Sequence, residues 1–282
     1  MNQTDQDARR QYWTQQMEEG YEFMERMLEY PVQECGETLA SLPDAVAAAG
    51  VEVEFSTSKV VGDFDRIYYL REGLIDDFIA IARDMNARGW VLKVEDGFRT
   101  TTIQKYLARK PNVFDAILQR VIWECGGQAP APDFMLRRVT SLCATYPKIG
   151  THMSASAIDI SVLRRDDRSE IDRGGPYLEM SELTPMTSPF AAPQAQENRR
   201  QIREVMERHG FMAYPYEFWH FNKGDVYAEE LNKTGQPARY GAVHWDAANN
   251  TITPVPNPTQ SLQSNEEIQR EIEVSLGRLG VV

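Results

Sequence analysis

The sequence GTHMSASAID at residues 150–159, followed later in the chain by EFWH at residues 217–220, decides how this chain is interpreted. Between them the two stretches hold two histidines and two carboxylates. The whole chain has only four histidines. Two of them inside compact patterns with carboxylates are therefore a selective observation, and the combination is typical of a zinc hydrolase.

Three of these side chains are suited to bind a metal. Imidazole and carboxylate are ligands that Zn²⁺ accepts, and a catalytic zinc takes three protein ligands and leaves its fourth position to water. We therefore predict that His152, Asp159 and His220 bind one Zn²⁺ per chain. Glu217 is not needed as a ligand and is the candidate general base. Arg99 follows a predicted strand and is the candidate group for stabilising an oxyanion.

Each of these residues alone has a simpler interpretation. A single histidine beside an aromatic strand is more often a core residue than a metal ligand. Asp159 alone would suit the end of a strand, and Arg99 alone would suit a surface ion pair. Only the combination of these residues, in this order, favours the metal site.

Apolar periodicity predicts a mixture of helices and strands. The predicted helices cover about residues 6–30, 67–89, 100–110, 113–125, 134–144, 196–209 and 265–279, and the predicted strands about 51–55, 90–94, 157–162 and 218–221. Because neighbouring strand residues alternate between two faces, Glu217 and His220 can reach one site only if Glu217 lies on a turn or bulge before the strand. The predicted fold class is α+β, with a small central antiparallel sheet flanked by helices and an N-terminal helical extension.

The predicted domain organisation has three parts. Residues 1–60 form an N-terminal helical extension, and residues 61–225 form the catalytic domain. Residues 226–282 form a C-terminal extension, with a Pro/Asn-rich linker at about 251–258 and a short terminal helix.

The composition limits the classes of partner and compartment. With 30 Lys+Arg against 42 Asp+Glu the formal net charge is −12, which argues against nonspecific binding to nucleic acid or to an anionic membrane. The polar first residues contain no apolar signal-peptide core, and no run of 18 apolar residues occurs, so we expect a cytoplasmic protein. A small-molecule or peptide substrate fits this composition better, and a small peptide is the expected partner. The oligomeric state does not follow from the sequence.

Four segments together resemble the D-alanyl-D-alanine dipeptidases, the VanX-like zinc peptidases. The family pattern SxHxxGxAxD resembles residues 150–159, and the family's EWWH resembles residues 217–220. The family's DGYR resembles DGFR at 96–99, and a helix of the type NRRxxRxxME resembles residues 198–207. The match extends over roughly residues 67–221, with the segments in the family's order.

The resemblance implies a fold, an activity and a role for each matched residue. It implies the fold shared by hedgehog signalling domains and certain murein carboxypeptidases, and hydrolysis of D-Ala-D-Ala by metal-activated water. It also implies that His152, Asp159 and His220 are the zinc ligands, Glu217 the general base and Arg99 the group that stabilises the transition state.

The chain departs from the family pattern at positions linked to substrate recognition. Gly150 stands where the family has Ser, and Ala155 where it has Gly. Ala191, at the end of the segment MTSPFA, stands where the family has the Asp that helps to hold the substrate amine. A buried ammonium without a carboxylate is costly to bind, so strict D-Ala-D-Ala specificity is not implied unless Glu179 or Glu182 compensates.

The sequence therefore leaves three functional hypotheses. The first is a zinc-dependent peptidase that cleaves a D-Ala-D-Ala-type dipeptide. The second is a zinc amidase or carboxypeptidase that acts on an N-blocked, longer or specialised-metabolite peptide. The third is a non-catalytic, zinc-stabilised binding protein. The presence of both Glu217 and Arg99 disfavours this third hypothesis, because a structural zinc site requires neither residue.

Overall fold

A computed structural model describes residues 3–280 of the chain. The helices are α1 (Gln3–Glu29), α2 (Leu42–Ala49), α3 (Ile75–Ala87), α4 (Thr101–Leu107), α5 (Pro111–Glu124), α6 (Pro132–Cys143), α7 (Pro193–Arg208), α8 (Val226–Asn232) and α9 (Asn265–Leu279). The strands are β1 (Leu39–Ser41), β2 (Val53–Phe55), β3 (Tyr69–Arg71), β4 (Trp90–Asp96), β5 (Ala157–Arg164), β6 (Met212–Ala213), β7 (His220–Asn222), β8 (Val243–Asp246) and β9 (Thr251–Pro254). The predicted α+β class is confirmed.

The central sheet has five strands in the order β2-β4-β5-β7-β6. Neighbouring strands within this sheet run antiparallel, except for β2 and β4, which run parallel. The register sets Asp159 of β5 opposite Asp96 on one side and opposite His220 on the other. An irregularity between Val94 and Asp96 interrupts the regular pairing of β4 with β5 at this end. The sheet therefore collects residues of three motifs at one end of its central strand.

Helices flank this sheet with their apolar sides inward. The inner side of α3 buries Phe78, Ile81 and Met85, in keeping with the predicted amphipathic pattern. The helix begins later than predicted, because residues 69–71 pair with β1 as strand β3. The alternation of apolar residues that suggested a longer helix there comes from this short strand and the 3₁₀ turn that follows it.

The long helix α1 shares the core of the sheet. Trp13 and Met17 belong to the main hydrophobic cluster, whereas Met24 and Met27 belong to a second cluster. Glu18 accepts a hydrogen bond from Arg138 of α6 at 2.9 Å. The segment predicted as an extension is thus packed against the helices of the predicted catalytic segment.

The C-terminal residues also pack against the body of the chain. Residues 251–254, which the sequence predicts as part of a linker, form strand β9 and pair with β8. Thr and Ile are residues that favour strands, so residues 251–254 pair with β8 although the longer segment 251–258 is rich in Pro and Asn. The terminal helix α9 appears where it is predicted and buries Ile268 and Ile272 in the main core. No helix within residues 3–280 has the length and apolar character needed to cross a membrane.

Candidate active site

The structure brings the three predicted metal ligands together. His152 lies on a 3₁₀ turn (Thr151–Ser154), Asp159 near the start of β5, and His220 at the start of β7. His152 Nε2 lies 3.2 Å from Asp159 Oδ1 and 3.2 Å from His220 Nδ1, and His220 Nδ1 lies 2.9 Å from Asp159 Oδ1. All three side chains are buried. The three donor atoms form a compact triangle that could hold one metal ion.

This triangle matches the dimensions of a zinc site. Ligand bonds of about 2.0–2.1 Å in a tetrahedral arrangement separate the donor atoms by about 3.3 Å. The observed separations of 2.9 to 3.2 Å are close to that value. Two imidazoles and one carboxylate are also the donor set of known catalytic zinc sites. The residues therefore fit Zn²⁺.

The second nitrogen of each imidazole has its own partner. His152 Nδ1 lies 2.6 Å from the carbonyl oxygen of Gly97. His220 Nε2 lies 3.1 Å from the hydroxyl oxygen of Thr151. In the tautomers that donate to these oxygens, the opposite nitrogens keep their lone pairs for a metal. The two rings are thus oriented for binding.

The carboxylate of Asp159 divides its two oxygens between different tasks. Oδ1 faces the imidazoles, whereas Oδ2 accepts hydrogen bonds from Arg99 Nη2 at 3.0 Å and from the hydroxyl of Tyr177 at 2.9 Å. Tyr177 lies in the long loop before α7, and its ring contacts that of Trp219 edge-on at 5.8 Å. With Oδ2 held by two donors, Oδ1 is the oxygen presented to a metal.

The charge states of the ligands suit metal binding. Burial raises the pKa of Asp159, but the interactions with His152 and His220 outweigh burial and hold its pKa well below the usual value. Burial lowers the pKa of His220 in spite of the opposing effect of Asp159. An ionised carboxylate beside a neutral imidazole is the protonation state that a metal requires of its ligands.

Arg99 is buried and held by two carboxylates. Its Nε donates to Asp96 Oδ2 at 2.8 Å, in addition to the bond from Nη2 to Asp159. Its backbone N–H donates to the carbonyl of His152 at 3.1 Å. Burial would lower the pKa of Arg99, but Asp96 and Asp159 raise it above the ordinary value. Arg99 is therefore a fixed positive charge that also ties the end of β4 to two of the predicted ligands.

Glu217 lies on the turn that precedes β7. Its N–H bonds the carbonyl of Tyr214 at 3.4 Å, and its own carbonyl accepts from the N–H of His220 at 3.3 Å. This is the turn that the sequence requires if Glu217 and His220 are to serve one site. Glu217 is buried, and burial, followed by the charge of Asp159, raises the pKa of Glu217 well above the ordinary value. Such a shift marks a candidate proton-transfer group.

A cavity of about 40 Å³ joins the three ligands, Glu217 and Arg99. Much of the remaining wall is apolar and comes from α1, α4, α5, α6, the 3₁₀ turn before His152 and the loop before α7. These apolar wall residues include Met24, Leu107, Val113, Leu142, Ile149 and Leu178. The cavity therefore offers a mostly apolar surface beside the candidate metal position.

Of the positions linked to amine recognition, some line the cavity and others do not. Gly150 lines the cavity, whereas Ala191 is buried away from it. Glu182 pairs with Arg9 at 2.8 Å and with Arg120 at 3.2 Å, and neither Glu182 nor Glu179 lines the cavity. In the described part of the chain, Asp159 and Glu217 are the carboxylates that line the cavity. The compensation that Glu179 or Glu182 would have supplied is not found.

Ala155 occupies a backbone conformation that glycine adopts more easily. Its φ of 54° and ψ of 35° are left-handed. An L-residue with a side chain pays about 1–2 kcal/mol in this region. The family's glycine three residues after the first histidine is thus explained by the turn, which this chain retains with alanine.

Sequence reasoning missed several residues of the site. Tyr177 lies in a loop without periodicity, so nothing in the sequence connects it with Asp159. Met24 lies on a helix interpreted as a packing element. Thr151 stands within the quoted motif, next to His152, and a search for partners of the second imidazole nitrogen would have singled it out.

A family model and two sequence relatives agree with the expected resemblance. Residues 135–236 match the family model described as D-ala-D-ala dipeptidase. A D-alanyl-D-alanine dipeptidase of Synechocystis sp. is 24% identical over 241 residues, which cover 73% of this chain and 90% of that protein. One of Enterococcus faecium is 32% identical over 71 residues, which cover 25% of this chain and 35% of that protein. The solved vancomycin resistance D,D-pentapeptidase VanY in complex with Zn(II) is 15% identical with a TM-score of 0.35, covering 74% of this chain and 91% of VanY.

Proposed function

Residues 135–236 of this chain belong to the D-ala-D-ala dipeptidase family of peptidases, and we propose that its site hydrolyses the amide bond of a small D-Ala-D-Ala-type peptide with the help of zinc. The observation that carries this proposal is the triangle of His152 Nε2, Asp159 Oδ1 and His220 Nδ1, with separations of 2.9 to 3.2 Å, in one cavity with Glu217.

His152, Asp159 and His220 would hold the metal. When bound, zinc lowers the pKa of a coordinated water to about 7 and polarises a carbonyl oxygen. The protein's part is to keep the three ligands in place through Gly97, Thr151, Tyr177 and Arg99, whose contacts are described above.

Glu217 would act as the general base. A carboxylate with a raised pKa is a better proton acceptor than an ordinary one, and it can pass the proton on to the leaving amine. Its place on the turn before β7 sets it in the wall of the same cavity as the three ligands.

Arg99 would contribute charge and position. Its guanidinium lines the cavity, so its positive charge can stabilise negative charge that develops on the attacked carbonyl oxygen. Its bonds to Asp96 and Asp159 fix the guanidinium without a further rearrangement during the reaction.

A second substrate class is favoured by one observation. Within the described residues 3–280, Asp159 and Glu217 are the carboxylates that line the cavity. In the proposed mechanism Asp159 is a metal ligand and Glu217 is the general base. A substrate ammonium would therefore have no dedicated partner. An N-blocked or longer peptide, or another neutral amide, avoids this cost.

The test is amine release from free and N-acetylated D,D-, L,D- and L,L-dipeptides by the zinc-loaded protein. Glu217→Gln is the matched control, because it keeps the shape of the side chain and removes the base. Cleavage of D-Ala-D-Ala that falls at least about 100-fold in the variant supports the dipeptidase.

Two other outcomes are informative. Preference for the N-acetylated peptide would assign the second substrate class. Binding of one zinc per chain without cleavage of any peptide would refute hydrolysis and favour the zinc-stabilised binding protein.

A further inference from the structure

The N-terminal helix α1 forms part of the candidate active site. Met24, near its C-terminal end, is 3% exposed and lines the cavity together with the metal ligands. Met27, one turn further along, is equally buried but does not line the cavity. One helix thus presents a methionine to the cavity and another to the hydrophobic core beside it.

Met24 is linked to the metal site through a layer of aromatic rings. The hydroxyl of Tyr227 lies 2.6 Å from Met24 Sδ and 2.7 Å from the carbonyl oxygen of Ile149. The ring of Tyr227 stacks on Tyr214 at 5.0 Å between centroids, and Tyr214 meets the imidazole of His220 edge-on at 5.7 Å. Met24 therefore lines the cavity on the side of His220, one of the candidate metal ligands.

The helix is fastened on both sides of Met24. The hydroxyl of Ser141 donates to the carbonyl of Met17 at 3.1 Å, and Lys148 Nζ donates to the carbonyl of Leu28 at 2.6 Å. Between these contacts, a Cβ placed on Gly20 would lie 3.3 Å from the ring of Tyr216, so the helix backbone approaches that ring closely. The wall that α1 provides is consequently a fixed part of the cavity.

The cavity is small, with a volume of about 40 Å³. A substrate side chain must fit among apolar groups, and methionine is the most deformable of these because its chain is unbranched. Its length and flexibility decide how far the wall can retreat.

We infer that Met24 limits the size of the substrate side chain that the site accepts, so that the natural substrate carries small side chains such as that of alanine. The inference rests on the proposed function, because it concerns the substrate of the same site. It identifies a specificity-determining residue on a helix outside the matched family segment.

The experiment compares Met24→Ala with Met27→Ala, its matched control on the same helix. The kcat/KM of the zinc-loaded proteins is measured for D-Ala-D-Ala and for peptides in which either alanine is replaced by D-Val, D-Leu or D-Phe. Met24→Leu, which nearly conserves volume, is the control for side-chain identity. Met24→Val, which shortens the side chain less than alanine does, is the second variant if the alanine variant is poorly folded, and it should raise the preference for the larger peptide in the same direction.

The ratio compared is kcat/KM for the larger peptide divided by kcat/KM for D-Ala-D-Ala. We expect Met24→Ala to raise this ratio at least tenfold, either for peptides with the first alanine replaced or for peptides with the second alanine replaced. This is the lower end of the 10-fold to 200-fold discrimination available from a methylene-sized change in an apolar pocket. Met27→Ala should leave the ratio unchanged, and Met24→Leu should change it less than threefold. A ratio that stays constant in Met24→Ala, or that moves equally in Met27→Ala, would overturn the inference.

A binding measurement separates failure of this inference from failure of the proposed function. If the wild type cleaves D-Ala-D-Ala and the ratio does not move, only the inference fails. If no peptide is cleaved, the inference is tested by binding alone. The affinities of the zinc-loaded proteins for D-alanine hydroxamate and for D-phenylalanine hydroxamate are then measured by calorimetry. Met24→Ala must then favour the larger probe at least tenfold relative to wild type, and an unchanged preference rejects the inference.

Discussion

Replacing Tyr177 with phenylalanine tests whether the surroundings of Asp159 prepare it for a metal. The change removes one atom, the hydroxyl oxygen 2.9 Å from Asp159 Oδ2, and leaves the ring against Trp219. Arg99 remains as the second donor, at 3.0 Å. The carboxylate therefore keeps one of its two restraints and becomes freer to rotate its oxygens.

The expected magnitude follows from comparing the metal-free and metal-bound proteins. A hydrogen bond to a charged group contributes about 1.5–3 kcal/mol, but this bond is present before the metal binds, so most of it cancels from the affinity. What remains is the orientation of Oδ1. Loss of a partner in the second layer of a metal site costs about 10-fold to 100-fold in affinity, and with Arg99 still in place we expect about 10-fold, or about 1.4 kcal/mol.

The assay is competition for zinc against a chromophoric chelator. Tyr30→Phe is the control, because its hydroxyl bonds the carbonyl of Gln236 at 3.0 Å away from the site. The same hydrogen bond also has an opposite effect, because it withdraws electron density from the carboxylate and weakens it as a ligand. Zinc affinity in Tyr177→Phe that equals or exceeds that of wild type would show that this effect prevails, and would refute the claim that Tyr177 orients the ligand.

Two further predictions concern the partners of His220 and the buried cap of α8. Thr151→Val removes the oxygen 3.1 Å from His220 Nε2, and we expect zinc affinity about 10-fold weaker by chelator competition and metal-free unfolding easier by about 1–3 kcal/mol, because a buried N–H loses its partner; unchanged values in both measurements would contradict the assigned tautomer. Asp225 is the N-cap of α8, and its side chain accepts hydrogen bonds from the backbone N–H groups of Tyr227 and Ala228. Burial raises the pKa of Asp225 to about 6 despite its hydrogen bond from Ser156. Because this pKa exceeds the unfolded value near 3.9, the contribution of Asp225 to stability is fully present below the unfolded pKa and falls by about 3 kcal/mol as pH rises through 6. Asp225→Asn keeps an oxygen for capping and does not titrate, so denaturant unfolding of metal-free protein should show the variant gaining stability relative to wild type between pH 4 and 7, and a constant difference would reject the raised pKa.

The grouping of the three candidate metal ligands with Glu217 could be predicted from the sequence because these residues lie within short segments. His152 and Asp159 are seven positions apart, and the antiparallel pairing of β5 with β7 brings His220 beside Asp159. Strand alternation also indicated that Glu217 must lie on a turn. In each case local geometry and one strand pairing sufficed.

The remaining contacts depend on how distant segments pack, and short-range patterns do not encode that packing. Tyr177 reaches Asp159 from an irregular loop, and Met24 reaches the cavity only because α1 packs along α6. Residues 251–254 form a strand because β8 lies beside them, although their composition resembles that of a linker. The parallel pairing of β2 with β4 likewise needs a crossover whose path the sequence does not specify.

This difference separates the chemistry from the specificity of the site. The proposed metal ligands and the proposed base are supplied by β5, β7 and the turns that enter them, whose geometry is fixed by backbone pairing. The wall is supplied by side chains of α1, α4, α5, α6 and the loop before α7, where a substitution changes volume without moving a ligand. We therefore expect changes in the wall to alter the accepted substrate while zinc affinity stays constant, and the departures at Gly150 and Ala191 fall outside the set of residues proposed to bind the metal.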